Sequence, residues 1–290
     1  MKTVAIFGVG LIGGSFALAL RKAGFSGRLL GVSSPATLQR ALDLRVIDEG
    51  ATAREAAQAA DLIYLSQPIL RILEILPDLN GWVQPQALIT DAGSTKGTIV
   101  ASAAAVISRC HFLGGHPMAG REQRGVDAAE AGLFEGRPYV LTPRSQSELE
   151  TANARELLDW ICRIGAFPVI LAPEEHDRIV AYTSHLPQLA STGLAALLEG
   201  REEPQSRVFG PALVDSTRLA LSSFDVWGDI LATNRAPIQE ALRAYIAKLD
   251  QFCQSLDSPL MRSQFEQGAR FAGEIRDPSQ LSLVPRDFPI

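Results

Sequence analysis

Along residues 1–171, short apolar runs alternate with stretches of helical spacing, a rhythm that predicts βαβ units closing into a parallel sheet. The strands it predicts are 4–7, 28–32, 62–65, 87–90, 111–114, 138–141 and 167–171. Runs this short also occur as buried helix segments, but the Gly, Pro and Ser residues between them favour strands. The intervening segments 15–24, 34–44, 53–60, 69–76, 96–108 and 147–164 predict helices. Beyond Pro173 the strand signals stop, and segments rich in Ala, Leu, Glu and Arg take over. They predict helices over 174–199, 204–222, 223–256 with an interruption near Pro237, and 259–275. Residues 277–290 carry three prolines and weak periodicity, and predict an irregular tail. The fold class is therefore α/β: a doubly wound parallel sheet over 1–171, followed by an all-helical domain over 172–290. The apolar, small-residue stretch 189–198 is more than one surface can bury against the first domain. It predicts a homodimer joined through the helical half.

Composition agrees with two domains, since 290 residues of which 47% are hydrophobic can fill substantial cores. A formal charge of -5 gives no basic excess, which argues against nucleic acid as a main partner. Cys110, Cys162 and Cys253 cannot all pair and show no metal-ligand spacing, so no metal site is expected and a reducing compartment suits them. The N-terminus enters a strand without the pattern of a signal peptide, and no apolar stretch is long enough to span a bilayer. A cytoplasmic protein is the expectation.

The first candidate site is Gly8-Val9-Gly10-Leu11-Ile12-Gly13, directly after the apolar run Val4-Ala5-Ile6-Phe7. A buried strand must turn sharply into a helix here, and only glycine lets the backbone approach a pyrophosphate whose charge meets the helix N-terminus. Strand, turn and helix in that order predict a Rossmann-type dinucleotide site contacted by Gly8, Gly10, Leu11, Ile12 and Gly13. At the end of the second strand the sequence is Gly31-Val32-Ser33-Ser34-Pro35-Ala36-Thr37, without the carboxylate that would accept from an NAD ribose. Ser33, Ser34 and Thr37 suit NADP over NAD, with Arg40 one turn on as a possible phosphate partner. The alternative is that Ser33 to Pro35 only cap the next helix.

Four further stretches fall where strands or helices end. Ser66-Gln67-Pro68 should lie near the nucleotide, although Pro68 alone could mark a helix start. Asp91-Ala92-Gly93-Ser94-Thr95-Lys96 puts a hydroxyl and an ammonium at the pocket rim, or else is an N-cap followed by a solvated lysine. Gly114-Gly115-His116-Pro117-Met118-Ala119-Gly120-Arg121-Glu122 fixes a histidine among glycines and proline just after a strand. An imidazole near its intrinsic pKa of about 6.5 accepts a proton from an alcohol while hydride leaves the same carbon, so His116 is the catalytic candidate. Glu122 either holds that imidazole, gates the pocket or is an idle surface carboxylate. His111 and His176 read as structural. In the helical half, Thr183-Ser184-His185-Leu186-Pro187-Gln188 presents polar groups within one turn, followed by Asp215-Ser216-Thr217-Arg218 and Trp227. Arg218 either forks onto a substrate carboxylate or makes an interhelical ion pair.

Together, in this order and over most of the chain, the five stretches from Gly8 to Trp227 resemble the prephenate and arogenate dehydrogenase family. The resemblance implies NAD(P)-dependent oxidative decarboxylation of a cyclohexadienyl acid, making tyrosine or its keto acid. It implies that His116 is the base, that Ser94 touches the ring hydroxyl and the nicotinamide, and that Arg218 holds the ring carboxylate. It places Ser184, His185, Glu122 and Trp227 around the substrate; Gln188 is expected beside them, and Asp91, Ser66 and Pro68 beside the cofactor. Many prephenate-using members carry histidine where this chain has Gln188, an amide compatible with the ammonium of arogenate. With no segment left over for a fused mutase or regulatory domain, any feedback by tyrosine would act at the active site. Two rival readings share the dinucleotide fold: a β-hydroxyacid dehydrogenase or imine reductase, and a catalytically silent NADP-binding sensor. The reductases rely on a lysine in the helical half, where this chain has only Lys248 and no glycine-rich motif before it.

Overall fold

The computed structural model describes residues 1–121, 123–199 and 208–277. The first half is built from β1 (Thr3–Phe7), α1 (Leu11–Lys22), β2 (Arg28–Val32), α2 (Pro35–Asp43), β3 (Glu49–Gly50), α3 (Ala53–Ala59), β4 (Leu62–Leu65) and α4 (Ile69–Trp82). It continues through β5 (Leu88–Asp91), α5 (Gly97–Val106), β6 (His111–Pro117), β7 (Pro138–Thr142), α6 (Gln146–Leu149), α7 (Ala152–Arg163) and β8 (Phe167–Ile170). The strands form one sheet in the order β3-β2-β1-β4-β5-β6-β7-β8. Strands β1 to β6 are parallel, as the apolar runs of β1, β2, β4, β5 and β6 predict. The expected all-parallel sheet needs one correction: β7 runs antiparallel to β6, and β8 follows β7 in parallel. Among the described residues between β6 and β7 there is only a three-residue 3-10 turn, Val126–Ala128, and no α-helix to carry a crossover back to the starting edge, so β7 returns in the opposite direction.

The period of two along β1 divides the core. Val4 and Ile6 pack with α1, α2 and α7 on one face, while Ala5 and Phe7 pack with α3, α4 and α5 on the other. Strand β3 is too short and exposed to leave an alternation in the sequence, and was missed. Helix α4 runs past the expected end at residue 76 and through Pro77. Its stripe Ile69, Ile72, Leu76 and Leu79 is buried, and this packing outweighs the hydrogen bond that proline removes.

The second half contains α8 (Pro173–Val180), a π-helical turn (Ala181–His185), α9 (Leu186–Leu198), α10 (Pro211–Thr217), a 3-10 turn (Arg218–Leu221), α11 (Phe224–Thr233), α12 (Arg235–Gln254) and α13 (Pro259–Glu274). Ala181, Ile230, Ile238 and Ala241 join the α4 and α5 side of the core, so the helical half seats on that face. The single helix expected over 174–199 is interrupted. Pro187 has no N–H for the carbonyl of residue 183, and the wide turn at 181–185 absorbs the mismatch. The break expected near Pro237 falls at Asn234, leaving Pro237 in the first turn of α12. The first residues of the helix expected over 204–222 and most of the tail at 277–290 lie outside the described residues. Two carboxylates of the helical half cap sheet-side helices. Asp229 Oδ2 accepts from Leu70 N–H at 3.0 Å, and Asp177 accepts from Lys96 N–H and Gly97 N–H at 2.7 and 2.9 Å.

Candidate active site

The carboxyl ends of β1, β4, β5 and β6 lie on one edge of the sheet, with the chain order reversing between β1 and β4, where such sheets bind their ligands. Gly8 follows β1 with φ of +91°, a conformation that favours glycine. A Cβ on Gly13 would stand 2.3 Å from Gly8 O and 2.4 Å from Ser66 Oγ, so α1 can start this close to the loop only with glycine there. Ser66 Oγ donates to Phe7 O and Gly8 O at 3.1 and 2.9 Å, bracing the turn from β4. Helix α1 follows Gly10, which supplies no side-chain cap, and has no acid in its first turn, which leaves the N–H groups of Leu11 and Ile12 for an anion.

A cavity of about 730 Å³ opens at this point, lined among others by Gly8, Gly10, Ser33, Ser34, Thr37 and Ser66. Gln67 Oε1 in its wall is buried and has no hydrogen-bond partner. An uncapped helix N-terminus, a close-approach glycine loop and an orphaned acceptor together fit a dinucleotide. Ser34 does cap α2, its oxygen accepting from Thr37 N–H at 3.4 Å, so capping and cavity lining hold together. The Arg40 guanidinium, which the sequence offered as a phosphate partner, pairs with Asp127 at the surface. Arg71, which the sequence reading passed over, lines the cavity with its ion partner Glu74.

At the next strand ends the expectation for Lys96 is corrected. Lys96 is neither a rim ammonium nor solvated: its side chain is fully buried, Nζ pairing with Asp91 Oδ2 and donating to Gly115 O at 2.8 Å. The Asp91 carboxylate, expected beside the cofactor, faces inward and also accepts from Gly93 N–H at 2.8 Å and Gly115 N–H at 3.1 Å. Burial lowers the pKa of Lys96, and the charges of Asp91 and Asp177 oppose that shift. This buried pair ties the loop that carries Ser94 to the strand that carries His116.

His116, in the last turnward residues of β6, has Nδ1 2.8 Å from Nε2 of His176 in α8, and His176 Nδ1 is 2.8 Å from Asp177 Oδ1. Burial first, then the neighbouring charges of His176, Lys96 and His185, hold the His116 imidazole well below its usual pKa. It is therefore neutral at physiological pH and able to accept a proton. His176 had been set aside as structural. Its partner lies 60 residues away in sequence, but a signal was present: Pro173, His176, Asp177 and Val180 form one buried helical stripe with a polar pair inside it.

The π-helical turn turns His185 inward, where its ring meets Trp227 edge to face at 5.8 Å and its Nδ1 lies 3.2 Å from Asn234 Nδ2. Asn234 also donates to Asp177 O at 2.8 Å, and it is a further member of the cluster that the sequence did not suggest. Burial pushes His185 down to about 4. Ser184 is half-buried on the same turn. Gln188 is buried one turn on, its amide nitrogen donating to Leu219 O at 2.7 Å and to Thr192 Oγ1 at 3.1 Å. It thereby anchors the 3-10 turn that begins at Arg218, whose side chain reaches an exposed position. Glu122 lies outside the described residues.

Comparison with known proteins follows the same division. Residues 16–162 match the model of the prephenate dehydrogenase nucleotide-binding domain, and residues 172–267 match that of the prephenate dehydrogenase dimerization domain. The chain is 34% identical over 256 residues to the prephenate dehydrogenase of Bacillus subtilis, covering 86% of this chain and 68% of that one. The crystal structure of Aquifex aeolicus prephenate dehydrogenase with hydroxyphenyl propionate and NAD+ superposes with a TM-score of 0.81 at 30% identity, covering 95% of this chain and 96% of that one. Synechocystis arogenate dehydrogenase superposes equally well, with a TM-score of 0.81 at 29% identity over 94% of this chain and 99% of that one.

Proposed function

The chain belongs to the prephenate dehydrogenase family, and from that premise we propose how its site divides the work of an NAD(P)-dependent oxidative decarboxylation of a cyclohexadienyl acid in tyrosine biosynthesis. A nicotinamide dinucleotide held at the Gly8 to Gly13 loop would supply the acceptor for hydride from the ring carbon that carries the hydroxyl. His116 accepts the proton of that hydroxyl, and the ring carboxylate leaves as carbon dioxide while the ring becomes aromatic. Arg218 holds the ring carboxylate, and Ser94 orients the hydroxyl beside His116. His185, Trp227 and Ser184 enclose the ring. The work of these residues is chiefly alignment, because aromatisation supplies the driving force. The division into a nucleotide domain at 1–171 and a helical domain at 172–290 is part of this reading. The observation that carries it is the half-buried His116 imidazole near the end of β6, its Nδ1 2.8 Å from His176 Nε2, one strand from the Ser94 loop and on the same edge as the dinucleotide cavity.

Two finer choices follow from particular side chains. NADP is favoured over NAD, because the hydroxyls of Ser33, Ser34 and Thr37 and no carboxylate follow β2 at the cavity wall. Arogenate is favoured over prephenate. Both N–H groups of Gln188 are spent on Leu219 O and Thr192, so the amide offers an oxygen, an acceptor suited to an ammonium. Four parallel assays crossing NADP and NAD with arogenate and prephenate test both choices through their specificity constants. The account expects the highest value for NADP with arogenate; a higher value for NAD or for prephenate reverses the corresponding choice.

Arg218→Ala is expected to raise the Michaelis constant for the ring substrate by about 10- to 100-fold with a smaller change in kcat, as loss of a charge-assisted carboxylate contact does. An unchanged constant would return Arg218 to an ion pair within the helical half.

The protein acts as a cytoplasmic homodimer in this reading. Its three cysteines are unpaired, and Leu221, Phe224, Phe265 and Phe271 stand more than half exposed on the half that matches the dimerization domain. Sedimentation at micromolar concentration is expected to give a species of twice the 31.2 kDa chain mass, and a species of single-chain mass contradicts it.

A further inference from the structure

Behind His116 stand two residues that the reaction as described leaves unused. The Asp177 carboxylate only accepts hydrogen bonds, and three donors converge on it: Lys96 N–H, Gly97 N–H and the Nδ1 of His176. That contact places a proton on His176 Nδ1. In the neutral imidazole, Nε2 is then a lone pair, and it faces His116 Nδ1 at 2.8 Å. One proton must lie between the two nitrogens, and only His116 is left to supply it.

We propose that Asp177 and His176 form a proton-ordering relay that keeps the His116 proton on Nδ1 and so presents Nε2, unprotonated, to the substrate hydroxyl. This inference deepens the function proposed above and rests on it. His176 and Asp177 are positioning residues, since they reach the reacting atoms only through His116. When His116 takes the hydroxyl proton, both of its nitrogens carry hydrogen. The relay then accepts a stronger, charge-assisted bond from Nδ1–H, while the proton itself stays on His116. Asp177 has a second duty that explains why a carboxylate from the helical half is set there: it caps α5, so the relay is in register only when the helical half is seated on the sheet. Were His176 the donor instead, His116 would carry its proton on Nε2 and meet the hydroxyl as a donor, unable to act as its base.

The test reads the tautomer directly. The chain has four histidines, so histidine-selective nitrogen-15 labelling and long-range proton–nitrogen spectra of the NADP-bound enzyme resolve each ring. The expected result is Nδ1–H for both His116 and His176; an Nε2–H tautomer at His116 overturns the relay, whatever substrate the enzyme proves to use. Two variants, each checked for folding by its dinucleotide affinity, extend the test to turnover. His176→Phe is expected to lower kcat about 100-fold with the Michaelis constant within about threefold, the size and pattern of a lost contribution to general-base catalysis. His176→Gln, whose amide oxygen can accept from Nδ1–H, is expected to restore both the Nδ1–H signal and at least about a tenth of native kcat. Native kcat in the Phe variant, or no recovery with Gln, makes His176 a packing residue and overturns the proposal. Absence of turnover in the native enzyme with all ring acids strikes the reaction assignment instead, and leaves the tautomer result to decide the relay.

Discussion

His116→Asn is expected to lower kcat by about 10³-fold or more while the dinucleotide dissociation constant stays within about threefold of native, because the substitution removes the base and little else. The asparagine amide fills part of the ring's volume and accepts hydrogen bonds, but it cannot take a proton at neutral pH. The cofactor cavity is walled by the ends of β1, β2 and β4 and does not include His116, which is why affinity should survive. The same account fixes the sign of the pH dependence. Burial and neighbouring charges lower the His116 pKa, so its neutral form persists as pH falls through about 6.5, and turnover is lost only below that value. Steady-state kcat/KM from pH 5 to 8 checks this. An acid limb at or above 6.5, or an Asn variant that retains turnover, removes His116 from the role of base.

The second large effect is on stability. Asp91→Ala leaves the Lys96 ammonium fully buried with only Gly115 O to accept from it, and strips an acceptor from Gly93 N–H and Gly115 N–H. Removing one partner of a buried pair costs about 3–5 kcal/mol, several times the effect of an exposed pair such as Arg71 with Glu74. Urea unfolding, followed through the nucleotide half, is expected to show a loss of that size in Asp91→Ala and less than about 1 kcal/mol in Glu74→Ala. Equal effects in the two variants would mean that the Asp91 and Lys96 pair does not hold the Ser94 and His116 segments together.

The nucleotide half was legible because its signals are local. A glycine loop after an apolar run and strands set off by turn residues each occupy a few consecutive positions. Where local signals and packing disagree, packing decided: α4 continues through Pro77 because Leu76 and Leu79 are buried beyond it. The two-residue β3 was invisible because an element that short has no period. In the active site, the sequence marked His116 from its setting among glycines and proline but could not show what stood behind it. His176, Asp177 and Asn234 come from α8 and the α11–α12 junction, and only the seating of the helical half brings them to β6. Lys96 reads as exposed for a different reason, since a lysine beside glycine, serine and threonine looks solvated until its buried partners in the nucleotide half, Asp91 and Gly115 O, are seen.

The most direct measurement of the central claim is stoichiometry: carbon dioxide released from ring-carboxylate-labelled substrate, counted against nicotinamide reduced in the same reaction. The account predicts one carbon dioxide for each nicotinamide reduced, with an aromatic product, and loss of both together in His116→Asn. Nicotinamide reduction without carbon dioxide would make the protein a simple alcohol dehydrogenase, and would contradict oxidative decarboxylation at this site.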